Sequence, residues 1–115
     1  MEKAIISARQ QALAQLSPLL TNPSRLALAA GLHGCQHAHF QTIREQLGMS
    51  DSTLSKHISA LESEGLVHVR KGFVGKRART WVSLTDSGRT VYRAHMGGLR
   101  QLAALPFPEA EDPDS

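Results

Sequence analysis

Apolar residues recur along this chain in two rhythms, and each rhythm predicts an element. Residues 3–16 place Ile5, Ile6, Leu13 and Leu16 among Ala and Gln at roughly helical spacing, and Pro18 stops the pattern. A second helix opens at Asn22-Pro23, where Asn caps free backbone N–H groups and Pro suits the first helical position; it carries Leu26, Leu28 and Leu32 and ends within the Gly31 to Gly34 stretch. Phe40, Ile43 and Leu47 mark a short third helix with Gly48 as its stop. Ser50 caps a fourth, residues 51–64, with Asp51 favouring the helix dipole and Leu54, Ile58 and Leu61 as its buried stripe. The period then changes to two: residues 66–70 and 80–84 alternate as strands do, and the Gly- and Arg-rich connection between them predicts a β-hairpin over residues 67–84. Thr85-Asp86 caps a long last helix in which Val91, Tyr92, His95, Met96, Leu99 and Leu102 share a face, with Gly97-Gly98 weakening its middle and Pro106 ending it.

The third and fourth helices are joined by only Gly48-Met49-Ser50, the short Gly-containing connection of a helix-turn-helix. The predicted fold class is therefore mainly α (α+β): about five helices, a helix-turn-helix, and a β-hairpin after it. A chain of 115 residues has room for a single core, assigned to residues 1–105, and residues 106–115 form an acidic, Pro-rich tail expected to be disordered. No run approaches the roughly 18 apolar residues of a membrane span. The one cysteine, Cys35, has no internal partner for a disulfide, which points to a reducing compartment and a cytoplasmic, soluble protein.

Charge changes the picture more than composition does. The net charge is +3, but four of the ten acids, Glu109, Glu111, Asp112 and Asp114, lie in the last seven residues, so residues 1–108 carry thirteen cations against six acids, or +7. Between Glu64 and Asp86 there is no acid, whereas Arg70, Lys71, Lys76, Arg77 and Arg79 fall within ten residues. Such a cluster is the footprint of a phosphate-backbone reader, although charge alone does not separate it from a solvated basic loop.

From Leu47 the chain reads LGMSDSTLSKHISALESEGLVHVRKGFVGKRARTWVSLTDSGR. With its S-D-S-x-L-S-K-H helix, its G-L-V entry to the first strand and its K-G-F-x-G-x-R-x-R-T-W wing, this segment resembles the winged helix-turn-helix regulators of the MarR and ArsR type. Asn22-Pro23-Ser24-Arg25-Leu26 is similar to the opening of the second helix in that group, so the resemblance covers residues 20–100. It implies a homodimer that binds a near-palindromic operator in double-stranded DNA, usually as a repressor, with no catalytic activity. The E-L-C-V-C-D-L motif of metal-sensing ArsR proteins is absent, since Phe40-Gln41-Thr42-Ile43-Arg44-Glu45 occupies that helix, and metal sensing is not inherited.

The candidate DNA-binding residues follow from these elements. With Leu54, Ile58 and Leu61 buried, Ser50, Ser52, Thr53, Ser55 and Lys56 are left at the N-terminal half of the fourth helix, the half that enters the major groove in helix-turn-helix proteins. His57 either contacts a phosphate or covers the rim of the motif. Lys76, Arg77 and Arg79 belong to the wing, where arginine responds to minor-groove width. Gly72 and Gly75 are assigned to the wing turn, and Trp81 to the inner face of the hairpin. Arg25 and Arg44 serve either phosphate contacts or surface salt bridges.

Apolar faces on both terminal helices predict a dimer that covers them. His33, Cys35, His37 and His39 would face one side as soft metal ligands only if that stretch were extended; an exposed loop, partly paired as a small first strand, accounts for them without a metal, and no cofactor is assigned. No nucleophile–base pair and no Gly-rich phosphate loop supports an enzyme. The alternative to a DNA-binding regulator is a protein–protein interaction module on the same fold. No small-molecule effector is identifiable from the sequence.

Overall fold

The computed structural model describes residues 1–114, with elements in the order α1 (Glu2–Ala14), a 3-10 turn (Pro18–Thr21), α2 (Pro23–His33), β1 (Ala38–His39), α3 (Phe40–Leu47), α4 (Asp51–Ser63), β2 (Val67–Val74), β3 (Arg77–Leu84) and α5 (Asp86–Ala103). The helix starts are side-chain capped where the sequence predicted caps. The Asn22 side chain accepts from the Arg25 N–H at 3.0 Å, Ser50 Oγ accepts from the Thr53 N–H at 3.2 Å, and Thr85 Oγ1 accepts from the Gly88 N–H at 2.9 Å. Each satisfies one backbone donor that the first helical turn leaves free. No helix among the described residues is long and apolar enough to cross a membrane.

The first helix ends two residues earlier than expected, at Ala14, because Ser17 turns extended and the chain tightens into the 3-10 turn that buries Leu20. The hairpin is longer than its alternating runs suggested. Antiparallel pairing continues from Val67↔Leu84 out to Val74↔Arg77, and β1 adds a third strand through Ala38↔Val82 and His39↔Trp81, giving the order β1-β3-β2. One side of the inner end of this sheet, Val67, Val82 and Leu84, joins Leu28, Leu32, Ile43, Leu54, Ile58 and Leu61 in a single core.

Two glycines mark close approaches between elements. A Cβ on Gly88 would lie 2.0 Å from the Leu66 carbonyl oxygen, so α5 can begin directly against the entry to β2 only because that atom is missing. A Cβ on Gly98 would lie 2.6 Å from the Ala12 carbonyl oxygen, and Ala12 itself is fully buried. Gly98 is thus the seat of α1 on α5 rather than merely a weak point in the helix. The neighbouring Gly97 has only the tip of Arg100 within 4.0 Å of its would-be Cβ. Near this junction the buried His95 accepts a hydrogen bond at Nδ1 from the Ser17 N–H (3.0 Å), and burial pushes its pKa below the ordinary histidine value.

Beyond α5 the described residues form neither helix nor strand, but the first of them are tied back. Arg9 donates to the Leu105 carbonyl at 2.7 Å and to the Pro106 carbonyl at 3.3 Å, and its guanidinium lies 4.6 Å from the Phe107 ring centre. The last residue of the expected acidic tail, Ser115, lies outside the described residues.

Replacing Gly97 by Ala should raise stability by up to about 1 kcal/mol through helix propensity alone. Gly98→Ala gains the same propensity but drives a methyl into backbone, so a net loss of about 1–2 kcal/mol is expected, read from paired urea melts. Because the His95 pKa is lowered in the fold, the unfolded chain binds the proton more readily as pH drops through the ordinary value of about 6.5. The His95 contribution is full above that value and is lost toward lower pH, by at most about 1.4 kcal/mol per pH unit. Thermal melts between pH 8 and pH 5 should show a shallower acid-side decline in His95→Gln than in the wild type.

Candidate nucleic-acid interface

The exposed face of α4 is presented by a short turn with three local restraints. Gly48 takes a left-handed conformation (φ 62°), allowing its N–H to reach the Glu45 carbonyl at 3.3 Å and the Met49 N–H to reach the Arg44 carbonyl at 3.2 Å. Ser50 caps α4, and Arg44 Nε meets Asp51 Oδ1 at 3.0 Å, bracing α3 against the first turn of α4. Arg44 is therefore committed to an ion pair. Arg25 is held by the Leu19 carbonyl at 2.6 Å, and its Nη1 lies 3.5 Å from His57 Nδ1, so half-buried His57 sits at the rim of the motif beside α2.

Burial of Leu54, Ile58 and Leu61 leaves Ser52, Thr53, Ser55 and Lys56 exposed on α4, as the helical period requires. Ser50 is also exposed, but its hydroxyl is engaged: besides accepting the Thr53 N–H it donates to Thr53 Oγ1 at 3.0 Å and lies 3.3 Å from Ser52 Oγ. The wing projects beside this face. Its two-residue tip, Gly75-Lys76, has positive φ only at Gly75 (61°), the pattern of a type II′ hairpin turn. Lys76 and Arg77 are exposed and Arg79 is half-buried. Among the described residues no acid is paired with Lys56, Lys71, Lys76, Arg77 or Arg79; the ion pairs belong to Arg44.

Two sequence expectations for the hairpin are corrected. Gly72 is not part of the turn: it lies in β2 opposite Arg79, and a Cβ there would come 3.1 Å from the Trp81 ring. Trp81 does not pack on the inner face. Val82 and Leu84 take the core side of β3, so alternation places Trp81 on the outer side, over Gly72, with the Arg70 guanidinium 5.1 Å and the His39 ring 5.3 Å from its ring. Gly72 makes room for the indole, and the outer face is closed by tryptophan and arginine rather than by core.

Between α4 and the wing runs a cleft of about 350 Å³ lined by Ser55, Ser59, Glu62, Lys71 and Thr80 above Ile58, Phe40 and Val69. Lys71 and Thr80 face each other in the sheet register and bring a cation and a hydroxyl toward α4. Lys71 belongs to the basic cluster of the sequence, and the register adds it to this cleft. The signal was the continued alternation Val67, Val69, Lys71, which puts it on the core side of β2 just past the core's edge.

The four residues considered as soft ligands are dispersed in environment. The His33 ring packs against Tyr92 at 4.7 Å, Cys35 and His37 are exposed, and His39 lies on Trp81. Among the described residues no three His, Cys, Asp or Glu side chains converge into a group that would hold a metal ion.

Comparison with known proteins agrees with this geometry. An uncharacterized protein of Methanocaldococcus jannaschii is 28% identical over 79 residues, spanning 69% of this chain and 86% of that protein. A transcriptional regulator homologue from Pyrococcus horikoshii OT3 superposes with a TM-score of 0.72 at 32% identity, over 76% of this chain and 87% of its own. The structure of S. aureus MepR in complex with DNA shares the fold at 18% identity, with a TM-score of 0.67 over 89% of this chain and 83% of that one. Residues 24–103, from the start of α2 through the end of α5, match the family model described as a winged helix DNA-binding domain, and the chain belongs to that family.

Proposed function

We propose that the protein is a transcriptional repressor that binds operator DNA as a homodimer. The family and fold are those of DNA-binding transcriptional regulators, not of enzymes. The observation that carries the specific reading is the placement of short hydroxyls and a lysine on the exposed face of α4 next to a wing whose cations have no acid partner among the described residues. Ser52, Thr53, Ser55 and Lys56 are exposed on α4, Ser55 and Lys71 line the cleft together with Glu62, and Lys76, Arg77 and Arg79 carry the basic run to the tip of the wing. In this reading the N-terminal half of α4 enters the major groove, where serine and threonine permit close approach and lysine reaches a guanine edge or a phosphate. The wing arginines follow the adjacent minor groove. Residues 1–105 act as the DNA-binding and dimerising unit, with the acidic tail kept off the DNA by its charge, and the site of action is the cytoplasm.

Shape supports the dimer. The chain measures 71 × 31 × 21 Å with a radius of gyration of 18.8 Å, whereas a compact domain of this length has about 13 Å. Although α1 seats Ala12 on Gly98 of the same chain, its Ile5, Ile6 and Leu13 remain 41–54% exposed. In this reading a second copy covers these residues, and a two-fold operator asks the pair to present its α4 helices one DNA turn apart, about 34 Å.

Anisotropy titrations of duplex DNA from upstream of the protein's own gene, at several salt concentrations, test the reading. The wild type should show a steep fall of log K with log salt. Arg77→Ala/Arg79→Ala should bind more weakly, with the slope reduced by about 0.9 for each phosphate contact removed. A flat wild-type salt response, or none of this binding, rejects it. For assembly, sedimentation velocity should give twice the 12.5 kDa chain mass for the wild type. Ile6→Glu/Leu13→Glu should sediment as a folded monomer and lose at least about tenfold in DNA affinity, since one recognition helix then binds without the other.

A further inference from the structure

At the end of the wing two large apolar side chains stand in solvent: Phe73, 72% exposed, and Val74, 56% exposed. A single exposed apolar residue needs no explanation. These are held differently, because the hairpin is paired without interruption through eight register partners up to the turn, with Phe73 opposite Ala78 and Val74 opposite Arg77. The small Ala78 leaves the Phe73 ring uncovered. Strand alternation puts Phe73 in the row of Val69 and Lys71, the side that faces α4, while Val74 shares the other side with Arg77 and Arg79. The tip is therefore a rigid blade with an apolar edge inside a collar of Lys71, Lys76, Arg77 and Arg79, none paired with an acid among the described residues.

That combination selects the partner. A second wing would bring the same four cations against these, so like charges oppose apolar mating between copies. Duplex DNA has the complementary arrangement: two rows of phosphates flank the minor groove, and between them lie sugar and base surfaces that accept an apolar ring. We propose that Phe73 is an apolar wedge that the wing inserts at the minor groove, opening a base step and favouring sites where such a step unstacks easily, pyrimidine–purine steps above all. The inference rests on the DNA-binding reading above and deepens it, assigning to Phe73 a share of sequence preference that involves no hydrogen bond to a base.

The test uses the full chain with two probes, an alternating d(AT) duplex, which contains TA steps throughout, and a dA·dT homopolymer duplex, which contains none. Phe73→Ala should lower affinity for the alternating duplex by roughly tenfold or more at every salt concentration, as expected for losing one buried phenyl ring. It should leave the salt slope unchanged, because no phosphate contact is removed. Its preference between the two duplexes should shift toward the homopolymer, and Phe73→Leu should restore most of the wild-type preference. With 2-aminopurine replacing adenines of the alternating duplex, wild-type binding should brighten the probe and Phe73→Ala should not.

The wedge is overturned if Phe73→Ala keeps the wild-type duplex preference and probe brightening. It is also overturned if the variant changes the sedimentation of the free protein, which would make the tip a contact between copies. Failure of the wild type to bind either duplex with a steep salt slope rejects the DNA reading itself, and the wedge with it. Thermal melts of Phe73→Ala should match the wild type, as the ring makes no core contact.

Discussion

The arrangement of the whole interface depends on one buried stripe. Leu54, Ile58 and Leu61 occupy one side of α4, and their burial decides which other residues of that helix face outward. Each is worth about 1.5–3 kcal/mol when removed from water, several times the value of any exposed ion pair nearby, so the rotation of α4 about its axis is set by the core and not by its polar face. The turn before it adds direction. Gly48 supplies the left-handed residue, Ser50 the cap and Arg44–Asp51 the brace, and together they fix where the N-terminal end of α4 points. Serines and a lysine are thereby held at the surface by apolar residues on the opposite side of the same helix.

The sheet divides its work along its length. Near the core its inner side carries Val67, Val82 and Leu84, and further out the same side carries Lys71, Thr80 and Phe73. A strand keeps its alternation after it leaves the core, so one register continues from packing into the surface facing α4. The outer side is organised by Trp81, which needs the missing side chain of Gly72 to lie flat and is covered by Arg70. Cation–π contact and apolar burial of the indole stiffen the hairpin at its waist, where a flexible pair of strands would lose the aim of its tip.

The long helices solve a different problem. Gly98 lets the backbone of α1 touch α5, and His95 closes the junction by accepting the Ser17 N–H in its neutral form. This seats the inner end of α1 while its outer half stays apolar and uncovered. The apolar faces read in the sequence are thus shared between a contact within the chain and a surface that this chain leaves exposed.

Local chemistry was readable without coordinates wherever it acts within a few residues. Asn22, Ser50 and Thr85 cap the helices they precede, Gly48 ends α3, and the stripe of α4 follows the helical period, because capping and amphipathicity depend on neighbours in sequence. What needed the fold were relations between segments far apart in the chain. The extent of the β2–β3 ladder hid behind Gly72, which reads as a turn residue when taken singly. Trp81 reads as core on residue type, yet its side of the sheet is decided by the parity of Val82 and Leu84 once these are buried. Lys71 joins the cleft beside α4 only through the register that sets it opposite Thr80 and across from Ser55. Gly98 looked like a weakness until Ala12, more than eighty residues earlier, was found against it. Residue types and spacing specify the elements and their faces; which faces meet is decided by packing, because close approach between distant backbones leaves no periodic mark in the sequence.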